Sequence, residues 1–366
     1  MAKSTIEDSA CIDQSFPGKI VIVTDHSSVN KDDFSSPDRL IKKYGSEKII
    51  HVAWPKAYLT EPHKMADLFL SFAADMEIKA LIISQAAPGT NAAIDELGKQ
   101  RKDIFIVCCT IQEPAVETVR RANLLFDPNQ PGMGAAMVKQ VKKQGAKVLV
   151  HYSFPRHLAV KSFAIRKNMI DKTCKAEGIL FLDREIPDPA DKDGFDKAQQ
   201  FILEDVPELV AKYGEDTAFF CTNCHMQIPL IKAVIDCHAI YPQPCCPSPM
   251  HGYLEALEIK DSGGSLSCLI GEASRIAAEK NMTDRLSTWP VSASMLFTNA
   301  GAEYAIKWIN GEVPKKAIDD EALMKCMDSV IIEAVGEESS VLMTSCTEEG
   351  ITHKNYKLVL MSYLDF

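Results

Sequence analysis

The chain lacks any run of about 18 apolar residues, the length a membrane-spanning helix needs, so no membrane segment is expected. Its first 17 residues are polar and acidic around Glu7, Asp8 and Asp13, without the apolar core of a secretory leader. Cys11 follows Ser9 and Ala10, but Asp8 precedes them and no hydrophobic stretch comes before, which argues against a lipoprotein cleavage site. The expectation is a cytoplasmic chain as given, or an exported one if a leader has been trimmed away. There is no excess of positive charge. Lys plus Arg is 40 against 50 Asp plus Glu, a formal charge of −10, which disfavours nucleic acid or an anionic membrane as a general partner. GxSxG, HExxH and P-loop motifs are absent, so no catalytic signature and no cofactor are read here.

What is present is an ordinary globular composition, 46% hydrophobic and 25% charged, over 366 residues, enough for two domains. The 12 cysteines do not form a disulfide framework. Several lie in apolar runs such as Ile106-Val107-Cys108-Cys109, where buried free thiols are usual.

Apolar runs alternate with amphipathic ones from Lys19 onward. Strands are expected at 19–24, 49–53, 80–84, 104–109 and 124–127, with helices at 36–44, 62–76, 91–99 and 114–122 between them. The pattern then restarts: helices at 132–144, 159–176, 195–213 and 227–237, strands at 147–151, 179–183 and 217–221. Pro207 is expected to break the 195–213 helix. Residues 286–290 read as an extended connection, 293–310 and 319–335 as helices, 356–363 as a final strand, and 238–252 as a Pro-rich loop. Short strands apolar throughout, separated by helices, indicate parallel sheets covered on both faces. The fold class is therefore α/β, two doubly wound parallel-sheet lobes. The N-terminal lobe takes 18–128 plus about 290–312, and the C-terminal lobe 132–285 plus about 330–366.

Ligands of such sheets bind at the carboxyl ends of strands. That rule nominates Asp25, His26, Ser84, Gln85 and Asp127 from the first lobe, and Tyr152, Asp183 and Asn223 from the second, while Arg156 is nominated as a bidentate partner for a ligand carboxylate or phosphate. Trp54 and Tyr241 are nominated as stacking walls. Asn223 leads, because its amide offers donors and an acceptor at a strand-to-helix turn. Asn223→Ala is expected to weaken binding with little loss of stability.

Three segments resemble the type I periplasmic-binding-protein superfamily, which includes ribose-binding proteins and sugar-repressor ligand-binding domains. Residues 124–150 (strand, Asp127, Gly132, Ala135-Ala136, helix, Gly145, strand) resemble the first crossover into the second lobe. Phe219-Phe220-Cys221-Thr222-Asn223 looks like the strand and turn that meets ligand in that family. Ala300 to Gly311 looks like the helix returning to the first lobe. More narrowly, the chain resembles an uncharacterised bacterial branch of this superfamily. The resemblance implies a hinge, a cleft between the lobes and a small-molecule ligand there, with closure read by an unidentified protein partner and a homodimer left open. Sugar repressors carry a DNA-reading head before the first strand. Only 17 residues precede Gly18 here, so no direct DNA binding is expected.

Cys221-Thr222-Asn223-Cys224-His225 spells CxxCH. Haem attachment and a redox pair share parts of that spelling. A zinc site could draw on Cys221, Cys224 and some of Cys237, His238, Cys245 and Cys246. The reading adopted is buried thiols around a functional Thr222-Asn223 turn, with no metal and no catalytic residue. An enzyme using the same cleft, with metal at the Cys221/Cys224 cluster, is the alternative.

Overall fold

Residues 19–24, 78–83 and 105–109 are strands because almost every side chain in them is apolar and buried, so only a sheet covered on both faces accommodates them. The computed structural model describes residues 16–366 apart from 59, 62, 261–264 and 337–338. The polar stretch holding Cys11 and Asp13 lies outside these described residues. The strands are β1 (Lys19–Thr24), β2 (Ile49–Ala53), β3 (Ile78–Ile83), β4 (Phe105–Cys109), β5 (Leu124–Pro128), β6 (Val148–Ser153), β7 (Leu180–Glu185), β8 (Thr217–Cys221), β9 (Ser287–Thr288), β10 (Val341–Glu348), β11 (Ile351–Met361) and β12 (Leu364–Asp365).

The chain divides into two units. The first comprises residues up to Leu125, Phe297–Leu323 and His353–Asn355. Its strands run in the order β5-β4-β3-β1-β2. The β1–β2, β1–β3 and β3–β4 pairs are parallel, so each crossover carries a helix: Asp38–Tyr44, His63–Ala73 or Thr90–Gln100. Gly45 ends the first of these at φ 86°, its N–H bonding to Ile41 O, a backbone conformation that favours glycine. Arg101, just past Gln100, reaches inward. Its guanidinium donates to the carbonyls of Ala73 (3.4 Å), Asp75 (3.0 Å) and Ile78 (2.9 Å) and pairs with Asp103. The late helix Ala293–Asn310 lays Tyr304 and Trp308 against Phe105.

The second unit comprises Phe126–Leu296, Met324–Thr352 and Tyr356–Phe366. Its central sheet is β7-β6-β8, parallel throughout. Single parallel bridges extend the pairing from Ala218 to Ile240 and from Tyr241 to Leu286, and β9 pairs antiparallel with β12. Helices Gln130–Lys143 and Lys161–Glu177 pack closely. A Cβ on Gly134 would lie 2.7 Å from the backbone oxygen of Arg166, so only glycine permits this approach.

Some local expectations change. Pro207 does not break its helix, which runs unbroken over Gly194–Tyr213. The carbonyl that Pro207 leaves without a donor belongs to Leu203, which is exposed, so water can satisfy it. The 36–44 helix is Asp38–Tyr44, and a separate short helix, Lys31–Ser35, precedes it. The single late strand is a hairpin, β10–β11, and helix Leu266–Glu279 was not anticipated.

Candidate functional site

In the first unit, the carboxyl ends of β1 and β3 bring Asp25, Ser84 and Gln85 together around Asp33, a residue the sequence did not nominate. Asp33 is fully buried. Its carboxylate accepts from Asp25 N–H (2.6 Å), from the Ser84 hydroxyl and, at longer range, from the Gln85 amide (3.5 Å). Asn30 caps the short helix by accepting from Asp33 N–H at 3.1 Å. The cap fixes where the Asp33 side chain points. Thr298 donates to Ser84 at 2.8 Å.

Asp25 accepts from the Tyr58 hydroxyl at 3.1 Å. Burial pushes the Asp25 carboxyl above its ordinary value, against the lowering effect of that hydrogen bond, and burial next to Asp25 pushes Tyr58 up to about 12. His26 follows, and its Nε2 is enclosed with no hydrogen-bond partner. Trp54 is entirely buried. Its ring stacks on Phe69 with centroids 5.7 Å apart, and its N–H donates to Gln85 O at 3.2 Å.

In the second unit the nominated residues do not converge. Neighbouring strand positions point to opposite faces. His151 and Asp183 pair on one face at 3.2 Å, with Lys167 closing on the same carboxylate. Burial raises the Asp183 carboxyl, but those two partners outweigh it and hold it below its ordinary value. Tyr152 faces the other way, fully buried, its hydroxyl donating to Asp205 at 2.8 Å. Arg156 is occupied by Asp188 through both arms (2.7 and 2.8 Å), beside an open groove also lined by Pro155 and Ile186. Asp127 accepts from Tyr356 at 2.6 Å. Tyr241 is fully buried and donates to Gln227.

Asn223 Oδ1 accepts from His225 N–H at 2.9 Å and so caps the turn Cys224–Met226. Removing such a cap costs about 1 kcal/mol. Asn223→Ala should therefore lower the chemical-denaturation stability of the ligand-free chain by roughly that amount, in place of the small change expected from sequence. An unchanged denaturation midpoint would show that the cap contributes nothing.

The thiols also sort differently from the CxxCH spelling. Cys221 ends β8 and points into the core, where burial pushes its thiol up to about 12. It therefore does not join Cys224, and Cys237 packs against the same core. Cys224 instead meets Cys245, Cys246 and His251 from the Pro-rich loop. Hydrogen bonds from the Cys245 and Cys246 thiols hold the Cys224 thiol far below its ordinary value.

Among the described residues no helix is long and apolar enough to cross a membrane. Residues 18–287 match the family described as protein of unknown function DUF3798. An uncharacterised protein of Treponema pallidum (strain Nichols) is 31% identical over 166 residues, 45% of this chain and 77% of that one. Among solved structures, a proposed transcriptional regulator from Clostridium difficile 630 has a TM-score of 0.87 at 21% identity, covering 96% of this chain and 100% of that one. The substrate-binding protein of a sugar ABC transport system from Bordetella parapertussis 12822 has a TM-score of 0.51 at 12% identity, covering 95% and 89%. An ABC transporter solute-binding protein from Bradyrhizobium sp. BTAi1, with bound bis-tris, has a TM-score of 0.51 at 13% identity, covering 85% of each chain. With the family match spanning most of its length and the parallel strand orders of its two units, the chain belongs to the DUF3798 family and has the two-lobed α/β fold of type I periplasmic binding proteins.

Proposed function

We propose that this chain is a solute-binding or sensory protein that takes a small polar ligand at the carboxyl ends of the first unit's strands, with Asp25, His26 and Gln85 as the groups that meet it. The fold supports the class of function, since two proteins that share it are a substrate-binding protein and a solute-binding protein of ABC transport systems. One observation supports the position. His26 Nε2 is enclosed yet unpartnered, next to a carboxylate that burial has already made less acidic. An unsatisfied polar atom costs about 1–3 kcal/mol, and a ligand that pairs with it recovers that loss. Asp33 is the positioning residue: it holds the Asp25 backbone, Ser84 and Gln85 without itself reaching solvent.

The test is a thermal-shift screen of sugars, nucleosides, amino acids and flavins on the purified chain, followed by titration of any hit. A ligand that binds only the folded state raises the melting temperature. His26→Ala should lower affinity for the hit about tenfold or more while leaving the ligand-free melting temperature unchanged or slightly higher, because the lost nitrogen had no partner. Full affinity in both His26→Ala and Asp25→Asn would place the site elsewhere. Turnover of the hit would convert the reading to an enzyme.

A further inference from the structure

The densest group of ligating atoms among the described residues lies in the second unit and shares no residue with the solute reading. Cys224 Sγ is 3.4 Å from Cys246 Sγ and 3.5 Å from Cys245 Sγ, and Cys245 and Cys246 are themselves 3.5 Å apart. The sulfurs form a nearly equilateral triangle. One ligating atom each of Cys224, Cys245 and His251 also lie within 4.8 Å of one another. All these thiols are free.

The spacing selects among ions. Zinc–sulfur bonds of about 2.3 Å at tetrahedral angles place ligand sulfurs about 3.8 Å apart, slightly wider than this triangle. An ion seated over the triangle would touch all three sulfurs and leave one position for the imidazole. A [4Fe–4S] cluster binds each thiolate to its own iron and needs the sulfurs much further apart, and a [2Fe–2S] cluster needs its four ligands as two separated pairs, one pair per iron, which three sulfurs gathered in one triangle do not supply. Calcium and magnesium require oxygen ligands, which are absent from this set.

A second observation comes from a distant part of the sequence. Arg166, on helix Lys161–Glu177, is buried, and its Nε and Nη2 have no hydrogen-bond partner. Its Nη1 donates to Gln130 at 3.0 Å, its guanidinium lies over the rings of Phe163 and Phe220, and Cys245 and Cys246 lie within its electrostatic reach. A buried cation with idle donors is costly unless negative charge faces it. Three thiolates, an imidazole and a divalent ion sum to one negative charge, which one guanidinium balances.

The scaffold holds the ligands in place. Gln227 is fully buried. Its amide donates to the carbonyls of Cys221 (3.2 Å) and Asn223 (2.6 Å), while its carbonyl accepts from Cys245 N–H (3.3 Å). It thereby clasps the turn carrying Cys224 to the loop carrying Cys245. Gly252, beside His251, sits at φ 81°, and a Cβ there would lie 2.7 Å from Gln227 Cβ. Cys224 is exposed, which gives an ion a way in.

We propose that Cys224, Cys245, Cys246 and His251 form a mononuclear site for a zinc-class divalent ion, with Arg166 as its buried counter-charge. Four protein ligands close the coordination sphere, so the role is structural: the ion pins the Cys224 turn to the Pro-rich loop. The proposal does not depend on the solute reading.

The experiment uses the full chain, reduced, stripped with chelator and titrated with zinc alone and with cobalt(II) alone. The expected result is one ion per chain, proton release on binding, a raised melting temperature, and a cobalt spectrum with thiolate charge-transfer and intense tetrahedral bands. Cys245→Ser and Cys246→Ser should each weaken zinc binding by about a hundredfold or more, whereas Cys237→Ser should leave it intact. Should Cys245→Ser fail to fold, Cys246→Ser and Arg166→Met carry the test. Arg166→Met should weaken zinc about tenfold yet raise the metal-free melting temperature, a split that a merely structural arginine would not give. Absence of a stoichiometric ion in the reduced chain, an octahedral cobalt spectrum, or unchanged zinc affinity in Cys246→Ser would overturn the proposal.

Discussion

Trp54→Ala lowers the unfolding free energy by about 3–5 kcal/mol, the usual cost of emptying an aromatic site in a packed core. Trp54 is among the largest fully buried side chains. Its ring stacks on Phe69 at an interplanar angle of 17° and approaches Tyr58 at 5.8 Å, and its N–H holds the carbonyl of Gln85. Truncation removes dispersion contacts on every side and leaves that buried carbonyl without its donor. Urea denaturation of the variant should show the midpoint shifted down with the slope unchanged. A conservative Trp54→Phe keeps most of the volume and should recover more than half of the loss. If Trp54→Ala keeps its midpoint while a screened ligand loses affinity, the ring faces solute and the packing argument fails.

Arg101→Ala should cost about 3 kcal/mol, although arginine is ordinarily a surface residue. Its guanidinium satisfies the carbonyls of Ala73, Asp75 and Ile78 where helix His63–Ala73 hands over to β3. Ala73 ends its helix, Asp75 lies in the turn after it, where its carbonyl also accepts from Ile78 N–H, and Ile78 opens β3. Arg101→Lys supplies one charge in place of a planar fork, so it should recover only part of the loss. The measurement is again equilibrium denaturation, with Arg121→Ala as the control. Arg121 lies at the surface, paired with Asp95 and Glu117, and such pairs contribute about 0–1 kcal/mol. Equal losses in the two variants would refute the distinction.

The parallel strands were legible because their apolar character is nearly continuous, as in Ile20 to Val23 and Val148 to Val150. Helix ends were legible where a glycine takes positive φ, as at Gly45 and Gly178. The β10–β11 hairpin was not. Only one face of β10 is covered, so its residues alternate between partly buried and exposed and produce no apolar run. Helix Leu266–Glu279 buries only Ala273 and Ala277 fully, too little to stand out from its polar flanks.

The candidate solute residues followed from strand ends alone, which is why Asp25, Ser84 and Gln85 were named together. Asp33 was missed because it lies eight residues beyond Asp25, outside the strand-end positions that the rule selects. Only the Asn30 cap turns Asp33 inward. The thiol cluster was half visible. CxxCH drew attention to Cys221, yet a strand-end residue and one three positions later need not face the same way, and the true companions of Cys224 lie more than twenty residues on. Adjacent cysteines and a histidine in one Pro-rich loop were the available signal.

The passage of the chain through its two units bears on synthesis. Phe105 lies in β4, but Tyr304 and Trp308, the rings that cover it, come from Ala293–Asn310. At ribosomal rates of about 5–20 residues per second, those rings emerge on the order of ten seconds later. Through that interval the first unit waits with an uncovered apolar face while the sheet β7-β6-β8 of the second is already emerging. A nascent chain arrested before residue 293 should therefore be bound by chaperones that hold exposed apolar surface, and release should follow once residue 323 has cleared the exit tunnel.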